Sequence, residues 1–274
     1  MSFELPSSDQ KADYVLEQFD RIASRYDLAN DLISMGMHRL WKARAIKELG
    51  ILPGGKYLDV CTGTGDLAMS MATAHHFNGE VVGLDFSSQM LSVARSREQK
   101  ALKEGKLGAS CCAHDGANSA PRLEWRQGDA QALPFENNTF DGAIISFGLR
   151  NLTNLQKGLD EMARVVKPSG TVINLDLGQP DMPIFTPLFL FFFHNIVPII
   201  GEIVQNDRKA YTYLPESRKN YPHPTVLSQM FESAGLTDVR WVPLAFGSVA
   251  MHIGRKPAQA VASASESELQ EAGK

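Results

Sequence analysis

The chain is short of most features that would mark a secreted, metal-bound or nucleic-acid-binding protein. Among its 274 residues cysteine occurs three times, at Cys61, Cys111 and Cys112. Three cannot build a multi-bridge framework, none stands in a C-x-x-C pair, and His114 beside Cys112 does not complete a zinc set, so a reducing compartment and no metal are expected. Positive charge is not in excess either: 27 Lys and Arg face 31 Asp and Glu, a net charge of -4. That excludes a general electrostatic grip on nucleic acid. The first residues, Met1 to Pro6, have no basic n-region, no apolar h-region and no Arg-rich amphipathic pattern, which predicts a cytoplasmic protein, organellar only if a transit peptide has been removed. No internal repeat is present. The length suits one α/β domain with insertions rather than two full domains.

What the chain does carry is a strand, a glycine turn, a helix and a second strand tipped by an acid. Leu58-Asp59-Val60-Cys61-Thr62-Gly63-Thr64-Gly65-Asp66 is followed by Val81-Val82-Gly83-Leu84-Asp85. Gly63 and Gly65 let the backbone turn sharply and approach a ligand, and Asp85, twenty positions after Gly65, has the reach to accept hydrogen bonds from ribose hydroxyls. Gly63-x-Gly65-x-x-Ala68 by itself leaves NAD, FAD and S-adenosylmethionine open. Charge separates them. A dinucleotide puts its pyrophosphate at the helix N-terminus, where N–H groups favour an anion, yet here Asp59 and Asp66 flank that place. They suit a cation. S-adenosylmethionine has an ammonium and a sulfonium and no phosphate, so Asp59 is expected to hold its amino-acid end and Asp85 its ribose. The competing reading is a glycine turn capped by Asp66 with no ligand.

Val15, Phe19 and Ile22 repeat at helical spacing, and 41–49 reads as a second helix ended by Gly50, giving a helical cap over 1–50 on the substrate side. Strand-like runs at 56–60, 81–85, 123–127, 142–146 and 171–175 alternate with helical stretches near 67–74, 90–99 and 155–166, which predicts a doubly wound parallel sheet. Two late strands, 239–243 and 249–255, complete a Rossmann-like seven-stranded sheet, mostly parallel with an antiparallel final strand, over a domain at 51–256. Residues 100–122 read as a surface insertion and 257–274 as a disordered tail.

One apolar run, 183–200, packs Phe189, Phe191, Phe192 and Phe193 into five positions. Its length approaches a membrane span, but Pro187, His194, Asn195 and Pro198 interrupt it and Gly201-Glu202 ends it. A buried core helix is a second reading. The third, a lid over 183–217 receiving an apolar substrate, accounts for aromatic residues on every face.

Further motifs lie along the carboxyl edge expected of the sheet. In Gly128-Asp129-Ala130, Asp129 is placed to accept from an adenine amino group, unless it only starts a turn. The strand running through Ile144-Ile145-Ser146 leaves Ser146 beside the cofactor, with Arg150 and Asn151 facing the cleft.

Taken together, Tyr26-Asp27-x-Ala29-Asn30-x-x-Ile33-Ser34-x-x-x-His38-x-x-Trp41 resembles the first signature of the ubiquinone/menaquinone biosynthesis C-methyltransferases, and Arg164-Val165-Val166-Lys167-Pro168-Ser169-Gly170 resembles the start of their second. The similarity continues through Ile145 to Asn151 and through Tyr211-x-Tyr213-Leu214-x-Glu216-Ser217, covering residues 15 to 256. Ala29 stands where the family usually has Met, Ser169 where it has Gly, and Asp176 and Gly178 where its second signature ends in Glu-x-Ser. The resemblance implies the class I methyltransferase fold, with S-adenosylmethionine contacted by Thr64, Asp85, Asp129, Ala130 and Ser146. It also implies a polyprenylated hydroquinone methylated on a ring carbon: a naphthoquinol such as demethylmenaquinol or demethylphylloquinol, with a ubiquinone-pathway benzoquinol as the alternative. A non-catalytic scaffold in a quinone-synthesis complex is the reading from outside enzymology.

A ring carbon is a poor nucleophile until a phenolic proton leaves, so such a site needs a proton acceptor or a charge that stabilises the phenolate. Arg150 is the candidate for the phenolate, because guanidinium stays charged. Tyr26 and Asn151 are candidates to position the ring. His38 is a candidate base, set against a structural role beside Trp41, and the same caution covers His223 and His252. No metal is required, because transfer from a sulfonium creates no oxyanion. The expected partners are the prenylated quinol and the inner face of a membrane, touched and not spanned. No nucleic acid is expected, and a homodimer is left open.

Overall fold

The computed structural model describes residues 8–107, 121–205, 217–218 and 220–259. Cys111, Cys112, His114, the motif at 211–216 and most of the expected insertion and tail lie outside these residues. The first positions assigned to the insertion continue a helix.

Three helices, α1 (Ser8–Ile22), α2 (Tyr26–Ser34) and α3 (Met37–Leu49), precede the first strand. The stop after α2 is made by Met35 and Gly36, both left-handed at φ 50° and 74°, and Gly50 at φ 67° closes α3. The alternating unit follows as β1 (Lys56–Val60), α4 (Asp66–Ala72), β2 (Glu80–Asp85), α5 (Ser88–Lys103), β3 (Arg122–Gln127), β4 (Phe140–Ser146), α6 (Leu155–Val165) and β5 (Val166–Leu177). Polar caps start α5 and α6: Ser87 Oγ accepts from the Met90 N–H at 3.0 Å, and Asn154 Oδ1 from the Lys157 N–H at 3.0 Å.

An apolar helix comes next, α7 (Phe185–Phe191) and α8 (Val197–Gln205) joined by a π-helical turn at Phe192–Ile196, then α9 (Pro224–Ser233), β6 (Thr237–Leu244) and β7 (Val249–Arg255). The sheet order is β3-β2-β1-β4-β5-β7-β6. Strands β1 to β5 pair in parallel, and β7 runs antiparallel to both neighbours, as the sequence pattern requires.

Alternation along the strands divides the core. Leu58 and Val60 face a cluster with Leu159 and Met162 of α6 and Phe231 of α9, while Tyr57 and Ile144 face one with Leu49 of α3 and Met71 of α4. A third cluster joins Ile22, Ala29 and Met90 to Phe193 and Val197, tying the N-terminal helices to the apolar helix. Strand order reverses between β1 and β4, and in open α/β sheets ligands bind in the crevice at that switch point.

Candidate active site

Two neighbouring cavities occupy the crevice. The first lies under α1, between Val15, Leu16 and Phe19 on one side and Asp85, Ser87, Asp129 and Ala130 at the ends of β2 and β3 on the other. The second is enclosed by α2, α3 and the apolar helix, with Asn30, His38, Trp41, Lys42, Asp59, Arg150, Phe189 and Phe192 in its wall. Tyr26, Cys61, Gly63, Ser146 and Phe147 line both.

The junction is strained. Cys61 at the end of β1 has φ 54° and Phe147 at the end of β4 has φ 56°. Non-glycine residues enter this left-handed region at a cost of about 1–3 kcal/mol each and cluster at functional sites. Gly148 makes the approach feasible, because a Cβ there would sit 2.5 Å from the Cys61 Cβ. Burial, reinforced by Asp85, Asp59, Asp129 and Asp176, pushes the Cys61 thiol well up and keeps it protonated.

Alternation along β1 turns Asp59 toward α4, where it is buried. Its Oδ2 accepts from Thr62 Oγ1 at 2.6 Å and from the Ala68 N–H at 3.1 Å, whereas Oδ1 has no partner. Burial raises this carboxyl to about 7 against the pull of Thr62, Lys42 and Ala68. A buried carboxylate oxygen without a donor is a vacancy for a cation. Asp85 accepts from the Gly63 N–H at 2.7 Å and the Ser87 N–H at 2.9 Å, and burial raises it to about 6. Ser146 Oγ is also buried without a partner at the junction. An ammonium at Asp59, ribose hydroxyls at Asp85 and an adenine edge near Asp129 match this donor set, so the residues fit S-adenosylmethionine.

Several expected site residues take other positions. Asp66, expected to face the cofactor with Asp59, is committed to Lys42 at 2.9 Å and Arg97 at 3.2 Å; although burial pushes it up, these cations hold it down at about 2. Gly65, expected to bind cofactor, lines neither cavity. It has φ 77°, and a Cβ there would meet the Trp125 ring at 2.4 Å, so its role is the turn. Thr64 lines the second cavity, with its hydroxyl donated to Asp27 at 2.7 Å. Asp129 lines the first cavity and also accepts from the Gln131 N–H at 2.9 Å, so turn and site coincide.

Arg150 and Asn151 face different cavities, the second and the first. The Arg150 guanidinium is paired with Asp176 at 2.6 Å and donates to the Phe147 carbonyl at 2.5 Å. Its charge is therefore balanced before any phenolate arrives. His223 caps α9, and His252 is buried against the Pro224 carbonyl, where loss of solvation lowers its ring to about 4.

The N-terminal helices are tied down as a strap over both cavities. Lys11 donates to the Leu152 carbonyl at 2.6 Å, Ser87 Oγ to Asp20 at 2.5 Å, and Arg97 to Asp27 at 2.7 Å. Sequence reasoning missed Lys42 and Phe147. Lys42 follows His38 by one helical turn on α3, and that spacing was its only signal.

The apolar helix resolves by face. Phe189, Phe192 and Phe193 line the second cavity, while Ile184, Leu188, Phe191 and Ile203 are at least 60 % exposed. The stretch Phe185–Val204 is long and apolar enough to cross a membrane, with 28 % of its most apolar window buried. A core helix would be mostly buried, so that reading does not hold.

Comparison with known proteins gives three results. The sequence pattern of the ubiE/COQ5 methyltransferase family matches residues 7–256. The chain is 40 % identical over 251 residues to a demethylmenaquinone methyltransferase of Desulfitobacterium hafniense, covering 92 % of this chain and 93 % of that protein, and 39 % identical over 247 residues to one of Bacillus cytotoxicus, covering 90 % and 97 %. Its backbone is similar to that of a SAM-dependent methyltransferase from Aquifex aeolicus with a TM-score of 0.51 at 19 % identity, over 78 % of this chain and 88 % of that one.

Proposed function

The chain belongs to the ubiE/COQ5 methyltransferase family, and from that premise we propose that it carries the methyl group of S-adenosylmethionine to a ring carbon of a prenylated naphthoquinol of the demethylmenaquinol type. The observation that carries this reading is the pair of adjoining cavities with opposite chemistry. The first ends in Asp85 and Asp129, suited to a ribose and an adenine edge, the second sets Trp41, Phe189 and Phe192 opposite Asp59, which is suited to an ammonium, and the two share Cys61, Ser146 and Phe147. When bound, S-adenosylmethionine supplies an electrophilic methyl whose S–C bonding pair leaves with sulfur.

The protein's part is positioning. Asp59 and Asp85 hold the cofactor ends, α1 roofs the first cavity and excludes water, and Tyr26 on the shared wall orients the acceptor ring against the junction. The apolar helix receives the prenyl tail along Phe189 and Phe192. Its outer face, with Leu28, Leu32, Met35 and Leu40 exposed on α2 and α3 or beside them, gives the protein a surface for the cytoplasmic face of a membrane, where such a tail resides.

The test is transfer of labelled methyl to demethylmenaquinol and, in parallel, to a demethylated benzoquinol, both kept reduced. Label on the naphthoquinol is the expected result. Label on the benzoquinol alone would move the enzyme to the ubiquinone pathway, and label on neither would overturn the reading.

A further inference from the structure

The reaction proposed above needs a group that takes the hydroxyl proton of the acceptor ring, and the second cavity offers few. Asp59 faces the cofactor end. Asp66 and Lys42 neutralise each other at 2.9 Å, and Arg150 is paired with Asp176 at 2.6 Å. Tyr26 is itself a phenol, and Cys61 is held as the thiol. His38 remains. We propose, on the premise of the quinol reading, that His38 is the proton acceptor of the reaction, working through Nε2 with Asp31 as its outlet.

The tautomer follows from the hydrogen bonds. Ser34 Oγ gives its one proton to the Asn30 carbonyl at 2.6 Å, so its 2.8 Å contact with His38 Nδ1 requires Nδ1–H as donor. Nε2 is left with its lone pair, on a side chain that lines the second cavity. Burial and then Lys42 lower the imidazole below its usual value, with Arg39 acting in the same direction and Asp66 and Asp31 opposing, so the ring is neutral and able to accept at pH 7. After the transfer, Nε2–H lies 3.8 Å from Asp31 Oδ1. Arg39 fixes that carboxylate at 3.0 and 2.6 Å at the protein surface, which gives the proton a path to solvent.

The step balances. The O–H bond breaks, its proton goes to Nε2 and its pair stays on oxygen. The electron density this places on the adjacent ring carbon forms the new C–C bond, and the hydrogen displaced from that carbon leaves as a proton that returns to the ring oxygen, restoring both the aromatic ring and the hydroxyl. Neutral His38 is regenerated when its own proton passes by Asp31 to water, so one proton is released for each methyl transferred.

The test compares wild type with His38→Gln on demethylmenaquinol and on a fluorinated naphthoquinol acidic enough to be ionised at neutral pH. Removing a general base is expected to cost at least about a hundredfold in kcat/KM on the first acceptor, to abolish the acid limb of the pH profile, and to cost less than about tenfold on the pre-ionised acceptor. Binding of a redox-stable chromogenic naphthol gives a readout apart from turnover: the chromophore should ionise on wild type and stay protonated on His38→Gln, at unchanged cofactor affinity. Ser34→Ala, which keeps the imidazole and frees its tautomer, should lose about tenfold and retain the acid limb. Equal losses on both acceptors, or an acid limb that survives in His38→Gln at saturating S-adenosylmethionine, would overturn the proposal. A wild-type enzyme that methylates no quinol would instead remove the functional reading beneath it.

Discussion

Arg150 and Asp176 form an ion pair with 6 % and 0 % of their side chains exposed, between the loop after β4 and the far end of β5. A charge that far from water is tolerable only while its partner remains. Asp176→Ala is therefore expected to destabilise the fold by about 3–5 kcal/mol, and the double variant with Arg150→Ala by clearly less than the sum of the singles. Chemical denaturation of the four proteins measures the coupling.

Asp59 predicts a pH signature. Burial lifts its carboxyl from 3.8 to about 7, so the folded chain binds this proton more readily than the unfolded one. Stability of the cofactor-free protein should accordingly fall as pH rises from about 4 to 7 and then level off. The narrower lift of Asp85 to about 6 acts in the same direction. Since an ammonium pairs only with the ionised form, S-adenosylmethionine affinity should weaken by up to about tenfold per pH unit below 7, with proton release on binding visible by calorimetry in buffers of different ionisation heat. Asp59→Asn should stabilise the cofactor-free protein at pH 8 by on the order of 2 kcal/mol while abolishing most cofactor binding.

The two faces of the apolar helix should separate in mutation. Phe192→Ser, on the cavity side, is expected to reduce activity on long-tailed quinols several-fold more than on tail-free analogues. Phe191→Ser, at 60 % exposure, should leave the tail-free reaction unchanged and weaken flotation with anionic lipid vesicles. Were Phe191→Ser to alter the self-association of the protein and not its vesicle binding, the outer face would belong to a second copy of the chain.

Ser169 has φ 66°, in the left-handed region that favours glycine. Left-handed backbone costs a side-chain-bearing residue about 1–2 kcal/mol. Ser169→Gly should therefore raise stability by about 0.5–1 kcal/mol once the entropy of glycine is subtracted, read as a small rise in melting temperature with unchanged kinetics.

The sheet was legible because alternation of apolar residues reads burial directly: strands at 56–60 and 249–255 coincide with β1 and β7. Asp59, Asp85 and Asp129 were legible because strand ends at a switch point have fixed neighbours. What sequence cannot carry is which partner a charged side chain takes. Asp59 and Asp66 looked equivalent beside the glycine turn, yet Lys42 and Arg97, distant in sequence, neutralise only one of them. The four clustered phenylalanines likewise concealed a division of labour: Phe189, Phe192 and Phe193, at i, i+3 and i+4, share the helix face on the cavity, and Phe191 falls on the other.

Tyr26 belongs to the wall of both cavities and sits where the strap passes from α1 into α2. Lifting that strap to let a spent cofactor go therefore also loosens the seat of the ring, while a ring in place helps to hold the strap shut. Departure of the two products is therefore expected to be coupled, and added viscogen, which slows helix movement and leaves bond-making alone, is expected to lower the maximal rate; a rate indifferent to viscosity would show that the strap does not limit turnover.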